Sequence, residues 1–306
     1  MKLALVHDHL AQDGGAEKVL MVLQDIYQDA PTFCLVHDKK SANPAFANKD
    51  IRTSFLQKIP FGVRHYQWFL PWMPTAVESY NLKDYDVVLS SSSALSKGVI
   101  TRPGTIHICY CHTPTRYLWS DTHDYVRELK YNRLVKKIIP FVLNKIRVWD
   151  RQSADRVDIF IANSVNVQKR IQKYYRRDSV VIHPPVDTHR FQIVSQPDKY
   201  FLTGGRLVYY KRFDITVAAF NKLGLPLKIF GTGPELDNLR QMAKPNIEFL
   251  GLISDTKQAE LYSNCQAFIH PQEEDFGITP VEAMAAGRPV IAYAKGGALE
   301  TIVEGI

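Results

Sequence analysis

Two carboxylates, two cations and several glycine turns give this sequence the chemistry to hold a charged, hydroxyl-rich ligand. The clearest signal is Pro271-Gln272-Glu273-Glu274-Asp275-Phe276-Gly277-Ile278-Thr279-Pro280-Val281-Glu282-Ala283. Glu274 leaves a predicted strand end, and Glu282 lies one to two turns into the helix that follows, with seven residues between them. That spacing predicts both carboxylates facing one crevice at the carboxyl edge of a sheet, where they accept hydrogen bonds from sugar and ribose hydroxyls. Phe276-Gly277 between them, and the small residues Ala283, Ala285, Ala286 and Gly287, argue against an ordinary acidic surface patch.

The remaining candidates are individually weaker. Arg206 and Lys211 straddle a strand-to-helix loop, Gly204-Gly205-Arg206-Leu207-Val208-Tyr209-Tyr210-Lys211-Arg212. A guanidinium fork and a lysine point charge there suit a diphosphate, although two solvated loop cations satisfy the same pattern. Gly231-Thr232-Gly233-Pro234-Glu235 reads equally as a base-binding loop or a plain helix start with proline at its first position. Gly14-Gly15 precedes a predicted helix, where backbone N–H groups and the helix dipole favour an anion; a flexible turn is the alternative. The G-x-G-x-x-G dinucleotide spacing is absent there. In His107-Ile108-Cys109-Tyr110-Cys111-His112, period-two alternation puts His107, Cys109 and Cys111 on one strand face. Three ligands on one straight strand cannot wrap a tetrahedral zinc, so a buried strand and no metal site are expected. His112, at the strand exit before Thr113-Pro114, is expected to face the cleft.

Positioning these residues requires strands whose carboxyl ends carry them. Short apolar runs alternate with helix-like stretches throughout. Residues 2–7, 86–90, 105–111, 157–162 and 179–183 read as strands, and the series restarts at 199–203, 227–230, 247–250, 267–270 and 289–293. Helical segments are predicted over 16–27, 213–223, 235–242, 255–264 and 279–286. Such alternation implies parallel sheets covered on both faces, an α/β architecture of two Rossmann-like domains. The proline-bearing stretch from His183 to Pro197 supplies the boundary, giving domains at 1–190 and 191–306.

The 306-residue length fits two domains, and 45% hydrophobic with 23% charged residues is ordinary globular composition. Four cysteines without a CxxC pair exclude a disulfide framework or zinc ribbon and suit a reducing, cytoplasmic compartment. The apolar start Met1–Val6 is too short for a signal peptide, and no run is long enough to span a bilayer. Net charge is +7, unevenly spread: residues 127–177 hold fourteen Lys and Arg against four acids, a local +10. With Tyr131, Phe141, Trp149, Tyr174 and Tyr175 interleaved, this block suits an anionic membrane surface, nucleic acid, or simply a solvated helix face.

Together Gly14-Gly15, His112, Arg206 with Lys211, and the Glu274/Glu282 pair around Phe276-Gly277 resemble family 4 of the retaining glycosyltransferases, with the GT-B fold. The stretches 273–283 and 296–301 look nearest to bacterial polysaccharide and O-antigen mannosyltransferases. The resemblance implies an N-terminal acceptor-binding domain, a C-terminal nucleotide-sugar domain and an active site in the cleft between them. It implies a metal-independent hexosyl transfer with retention, GDP-mannose as favoured donor, no further cofactor, and a lipid-linked oligosaccharide acceptor at the inner face of the cytoplasmic membrane. Arg206 and Lys211 then hold the diphosphate, Glu282 the ribose, and Glu274 with backbone near Phe276 and Gly277 the sugar; His112 bonds the sugar from the opposite domain, and Gly14, Gly15, Gly231 and Gly233 line the donor site. Family members usually continue beyond the equivalent of Ile306, so a shortened C-terminal domain is expected. A nucleotide-sugar 2-epimerase of the same fold and a non-catalytic nucleic-acid binder are the rival readings; no nucleic acid is expected as a partner.

Overall fold

A computed structural model describes residues 1–129 and 131–305. The chain divides into two compact units, Met1–Pro184 and Pro185–Ile306, so the division falls a few residues before the sequence boundary at 190. In the first unit β1 (Leu3–His7), β2 (Thr32–Cys34), β3 (Ile51–Thr53), β4 (Val87–Ser92), β5 (Ile106–Cys111), β6 (Ile159–Ala162) and β7 (Val180–Val181) form a parallel sheet in the order β3-β2-β1-β4-β5-β6-β7. The helices are α1 (Gly15–Ile26), α2 (Met73–Glu78), α3 (Thr122–Glu128), α4 (Arg133–Ser153) and α5 (Val165–Tyr175). All six residues of β4 are buried, as a strand covered on both faces requires. Its Ser90 and Ser91 are tolerated there because each hydroxyl is hydrogen-bonded.

The second unit restarts the same winding. Its strands β8 (Phe201–Gly204), β9 (Leu227–Phe230), β10 (Ile247–Gly251), β11 (Phe268–His270) and β12 (Val290–Ala292) stand in the order β10-β9-β8-β11-β12, all parallel. Its helices are α6 (Phe213–Leu223), α7 (Leu236–Met242), α8 (Asp255–Asn264), α9 (Ile278–Ala285) and α10 (Ala298–Thr301). Local signals fix the helix ends. Ser164 and Ser254 cap α5 and α8 through backbone N–H groups of Val167 and Lys257, and α6 stops at Gly224 in the left-handed region at φ 70°.

Three elements reshape the sequence reading of the first unit. β2 and β3 are three residues each, too short to show alternation. The basic block is largely helical: α4 runs from an Asn132 cap through Pro140 to Ser153. Its inward face carries Leu143, Ile146, Asp150 and Ser153. Asp150 is wholly buried and satisfied from several sides: Lys97 pairs with it, Thr115 Oγ1 donates at 3.1 Å, Trp119 Nε1 at 2.7 Å and the Tyr175 hydroxyl at 3.0 Å. This hub ties the loops after β4 and β5 to α4 and α5. Tyr174 stacks on Trp119, and Trp149 Nε1 donates to Glu78 Oε1 at 2.7 Å, so these aromatics of the block serve the interior.

Candidate functional site

In each sheet the chain winds away in both directions from a central pair of strands, β1/β4 in the first unit and β8/β11 in the second. Loops leaving such a pair diverge and open a crevice at the carboxyl edge. Both polar clusters described below sit at these two places.

In the second unit the loop after β8 ends at Lys211 and the loop after β11 brings Glu274. Lys211 Nζ lies 2.7 Å from Glu274 Oε1, the two side chains being 18% and 22% exposed. Gln272 Nε2 donates to the same oxygen at 3.4 Å. Burial opposes ionisation of Glu274, but Lys211, His270 and the hydrogen bonds outweigh it and hold the carboxyl at about 2. Burial likewise works against the Lys211 ammonium, and the Glu274 charge overcomes it, leaving its pKa raised. Arg206 is exposed yet near enough for its charge to act against Lys211. The cations that the sequence places on one loop therefore share a neighbourhood, with one of the two glutamates.

Glycines permit this arrangement by close backbone approach. Gly205 has φ 129°, and the Lys211 ammonium lies where its missing side chain would point, 3.5 Å from an ideal Cβ. Gly231, at φ 105°, abuts Gly205: an added Cβ would stand 1.9 Å from the Gly205 carbonyl oxygen. A Cβ on Gly233 would stand 2.2 Å from the Leu207 oxygen. Both residues pack their turn beneath the Lys211 loop. On the other side, Gly297 N donates to the Glu274 carbonyl at 2.8 Å, and a Cβ on Gly297 would meet the Phe276 backbone at 2.4 Å. Phe276 is buried, and Gly277 turns into α9 at φ 87°.

Glu282 has different surroundings from Glu274. It is 2% exposed on α9, and burial followed by the Glu282 charge and hydrogen bond raises the Tyr262 hydroxyl far above its ordinary range. Glu274 is thus ion-paired, whereas Glu282 is buried beside Tyr262. His270, the last residue of β11, was not singled out from the sequence. It is buried beside Glu274 and Lys211, and its pKa is lowered by burial. Its position at a strand's carboxyl end was the available signal.

In the first unit His112 leaves β5 and is 9% exposed, its Nε2 2.8 Å from the Ser91 hydroxyl. The same hydroxyl is 3.1 Å from His7 Nδ1, and His7 Nε2 is 3.6 Å from Glu17 Oε1. Glu17 lies in the first turn of α1, where Gln12 Nε2 also reaches Oε1 at 3.3 Å. Gly14 is the extended residue before α1, at φ −152°, and a Cβ on it would stand 3.1 Å from Glu17 Oε2. Gly15, exposed, is the first residue of the helix. Asp8 is saturated by Ser93 N and Oγ and by the backbone N–H groups of Ala94, Leu95 and Ser96, which helps to hold its carboxyl at about 2 against burial. His107, Cys109 and Cys111 are buried, and His107 Nε2 is 2.9 Å from the Ser90 hydroxyl, as a core strand predicts.

Residues 32–190 match the family model for glycosyltransferase family 4, and residues 185–306 that for glycosyl transferases group 1. The first match covers more than half of the chain, which therefore belongs to the family 4 glycosyltransferases. The chain is 25% identical to the alpha-1,3/1,6-mannosyltransferase ALG2 of Dictyostelium discoideum, over 64% of this chain and 56% of that protein. It is 31% identical to the O-antigen chain mannosyltransferase C of Escherichia coli, over 46% of this chain and 43% of that protein. It thus spans about half the length of these relatives. Among solved structures it resembles Anabaena Alr3699/HepE in complex with UDP and glucose, with TM-score 0.70 and 18% identity over 100% of this chain and 84% of that one. Sucrose-phosphate synthase from Thermosynechococcus elongatus gives TM-score 0.67 and 16% identity over 99% and 84%. These likenesses are of fold, the two-domain GT-B architecture.

Burial lowers His107 and His112 from 6.5 to about 4. Between these values the unfolded chain takes up protons that the folded first unit refuses, so stability is lost as pH falls from 6.5 towards 4. Each histidine contributes at most about 1.4 kcal/mol per pH unit. Thermal melts should show a falling midpoint from pH 7 to 5 and a shallower fall for His107→Gln. A midpoint independent of pH in both proteins would contradict the assignment.

Proposed function

We propose that this protein transfers a hexosyl group, mannose from GDP-mannose by preference, from a nucleoside diphosphate sugar to a carbohydrate acceptor. The observation that carries the reading is the Lys211–Glu274 pair with Arg206 beside it, at the carboxyl edge of the second unit's sheet. Cleavage of the sugar–phosphate bond develops negative charge on the leaving diphosphate. Cations fixed before the reaction stabilise that charge more in the transition state than in the ground state. Glu274, ionised and hydrogen-bonded, is suited to accept hydroxyls of the sugar, and the backbone by Phe276 and Gly277 adds N–H donors. Glu282 takes the ribose hydroxyls, and the turn at Gly231 and Gly233 supports the nucleotide side. From the first unit, His112 accepts a sugar hydroxyl and Gly14-Gly15 admits the ligand closely. Retention follows if a phosphate oxygen of the leaving group takes the acceptor proton on the same face, a route with no protein base and no metal. The relatives named as mannosyltransferases favour mannose.

The acceptor we propose is a lipid-linked oligosaccharide at an anionic membrane surface, the inner face of the cytoplasmic membrane. Among the described residues no helix is long and apolar enough to cross a bilayer. α4 instead presents Leu134, Ile138 and Phe141, which are 72%, 60% and 74% exposed. Their i, i+4, i+7 spacing places them on one face, opposite Leu143, Ile146 and Asp150. Lys137 and Lys145 flank that face; Lys136 and Arg147 are engaged with the backbone oxygens of Arg127 and Leu118. A basic helix with a protruding apolar stripe suits shallow insertion among anionic headgroups.

The catalytic reading predicts that Lys211→Ala or Arg206→Ala lowers turnover about a hundredfold or more without loss of folding. Turnover of the parent should be unchanged in excess EDTA. Near-parental rates in both variants, or activity abolished by EDTA and restored by Mg²⁺, would defeat it. The membrane reading is checked by vesicle sedimentation: binding to anionic but not neutral vesicles, fading as salt rises. Ile138→Ser with Phe141→Ser should weaken that binding about tenfold while leaving donor hydrolysis in solution intact. Parental binding by this double variant would exclude α4 as the membrane face.

A further inference from the structure

The polar chain in the first unit has an order that determines where protons sit. Glu17 is a buried carboxylate. Its burial works against ionisation, but contact with His7 prevails and the carboxyl lies below its ordinary value. At 3.6 Å the Glu17 carboxylate is too far to hydrogen-bond His7 Nε2, but its negative charge favours the proton on the nitrogen that faces it. On a neutral imidazole the other nitrogen is then bare. With His7 neutral in that form, its Nδ1 accepts from the Ser91 hydroxyl, 3.1 Å away. That hydroxyl has one proton, now used, so towards His112 Nε2, at 2.8 Å, Ser91 can only accept. The proton of His112 is thereby placed on Nε2.

We propose that His7 is held neutral and that Ser91, His7 and Glu17 are positioning residues that keep His112 in one tautomer, with Nε2 as donor to Ser91 and Nδ1 left as a bare acceptor for a sugar hydroxyl. Nδ1 has no hydrogen-bond partner among the described residues. The titratable groups near the His112 ring are His7, Asp8 and Glu17, and Asp8 is already saturated by the turn at residues 93–96. Burial keeps the ring neutral, with a pKa lowered to about 4. Ring packing adds orientation: Tyr110 meets His112 edge to face at 5.2 Å. The device works because its three hydrogen-bonding members leave adjacent strand ends, His7 from β1, Ser91 from β4 and His112 from β5, and Glu17 arrives on α1. A sugar hydroxyl needs an acceptor for its proton, and a rigid, singly defined acceptor discriminates against the deoxy sugar that cannot supply one.

The hydroxyl ligand rests on the proposed glycosyl transfer, whereas the tautomer does not, and one set of spectra separates the two. Long-range proton–nitrogen NMR of the full chain with ¹⁵N-labelled histidine reads which ring nitrogen is bare, and His112→Gln assigns the signal. The parent should show His7 and His112 neutral and protonated at Nε2. Glu17→Gln removes the charge that favours a proton on His7 Nε2 and leaves an amide that can face it with either oxygen or NH2. The order is then no longer fixed, and His112 should show a rising share of the Nδ1-protonated form. Ser91→Ala should leave a tautomer mixture, and Ser91→Thr, which keeps the hydroxyl, should restore the parental signal. Turnover should follow the spectra, with kcat/KM down about tenfold in Glu17→Gln and Ser91→Ala and recovered in Ser91→Thr. Parental His112 signals in both Glu17→Gln and Ser91→Ala, or Nδ1 protonated in the parent, would overturn the positioning role. Shifted tautomers with unchanged transfer would keep that role and reject the sugar contact.

Discussion

The contact between Lys211 and Glu274 is the constraint around which the second unit is arranged. It joins loops that leave different strands, at the one place in a doubly wound sheet where such loops diverge. A half-buried ion pair of this kind gives little net stability on its own, because desolvation offsets much of the attraction. Its value lies in fixing two charged atoms before any ligand arrives. Everything nearby serves that placement. Gly205 supplies the positive φ at the start of the lysine loop, Gly231 and Gly233 let the neighbouring turn lie directly under that loop, and Gly297 holds the backbone of the glutamate loop.

The first unit meets the same geometric problem with different chemistry. Its switch point between β1 and β4 carries neutral or hydrogen-bonded groups rather than an open ion pair. Asp8 is spent on a turn, and Glu17 is sequestered beneath Gly14 against His7. Deeper in, the Asp150 hub locks the loops that follow β4 and β5, so that Ser91 and His112 emerge from a rigid base. On the proposed reading, one unit handles the charged leaving group and the other presents neutral hydrogen-bonding groups to hydroxyls. That division follows from where charge develops during glycosyl transfer.

Much of this was legible in the chain before any coordinates. Apolar runs bounded by turn residues report parallel strands directly, so β9, α6 and α8 fall on their predicted ranges. The failures have physical reasons. β2 and β3 are three residues each and carry no period. α4 was hidden because Pro140 interrupts its apolar run and its cations dominate the composition, although its helical stripes are plain once its face is known. The neighbourhood shared by Arg206, Lys211 and Glu274 was legible because charged residues at strand exits stand out. The contact between Glu282 and Tyr262 depends on tertiary position, which no local spacing encodes. Gly231 and Gly233 read as a possible base-binding turn, and their close backbone approach is visible only in the folded chain. His7, Ser91 and Glu17 escaped notice because a hydrogen-bonded chain drawn from β1, β4 and α1 exists only after the sheet is assembled.

The central claim is that the Lys211 ammonium, stored against Glu274, recognises the diphosphate of the donor. Calorimetric binding of GDP and GMP to the parent and to Lys211→Ala tests it most directly, because the two nucleotides differ only in the phosphate that the lysine is proposed to meet. The account predicts that the parent binds GDP at least tenfold more tightly than GMP, and that Lys211→Ala loses most of this preference while binding GMP as before. An undiminished preference for GDP in Lys211→Ala would contradict it.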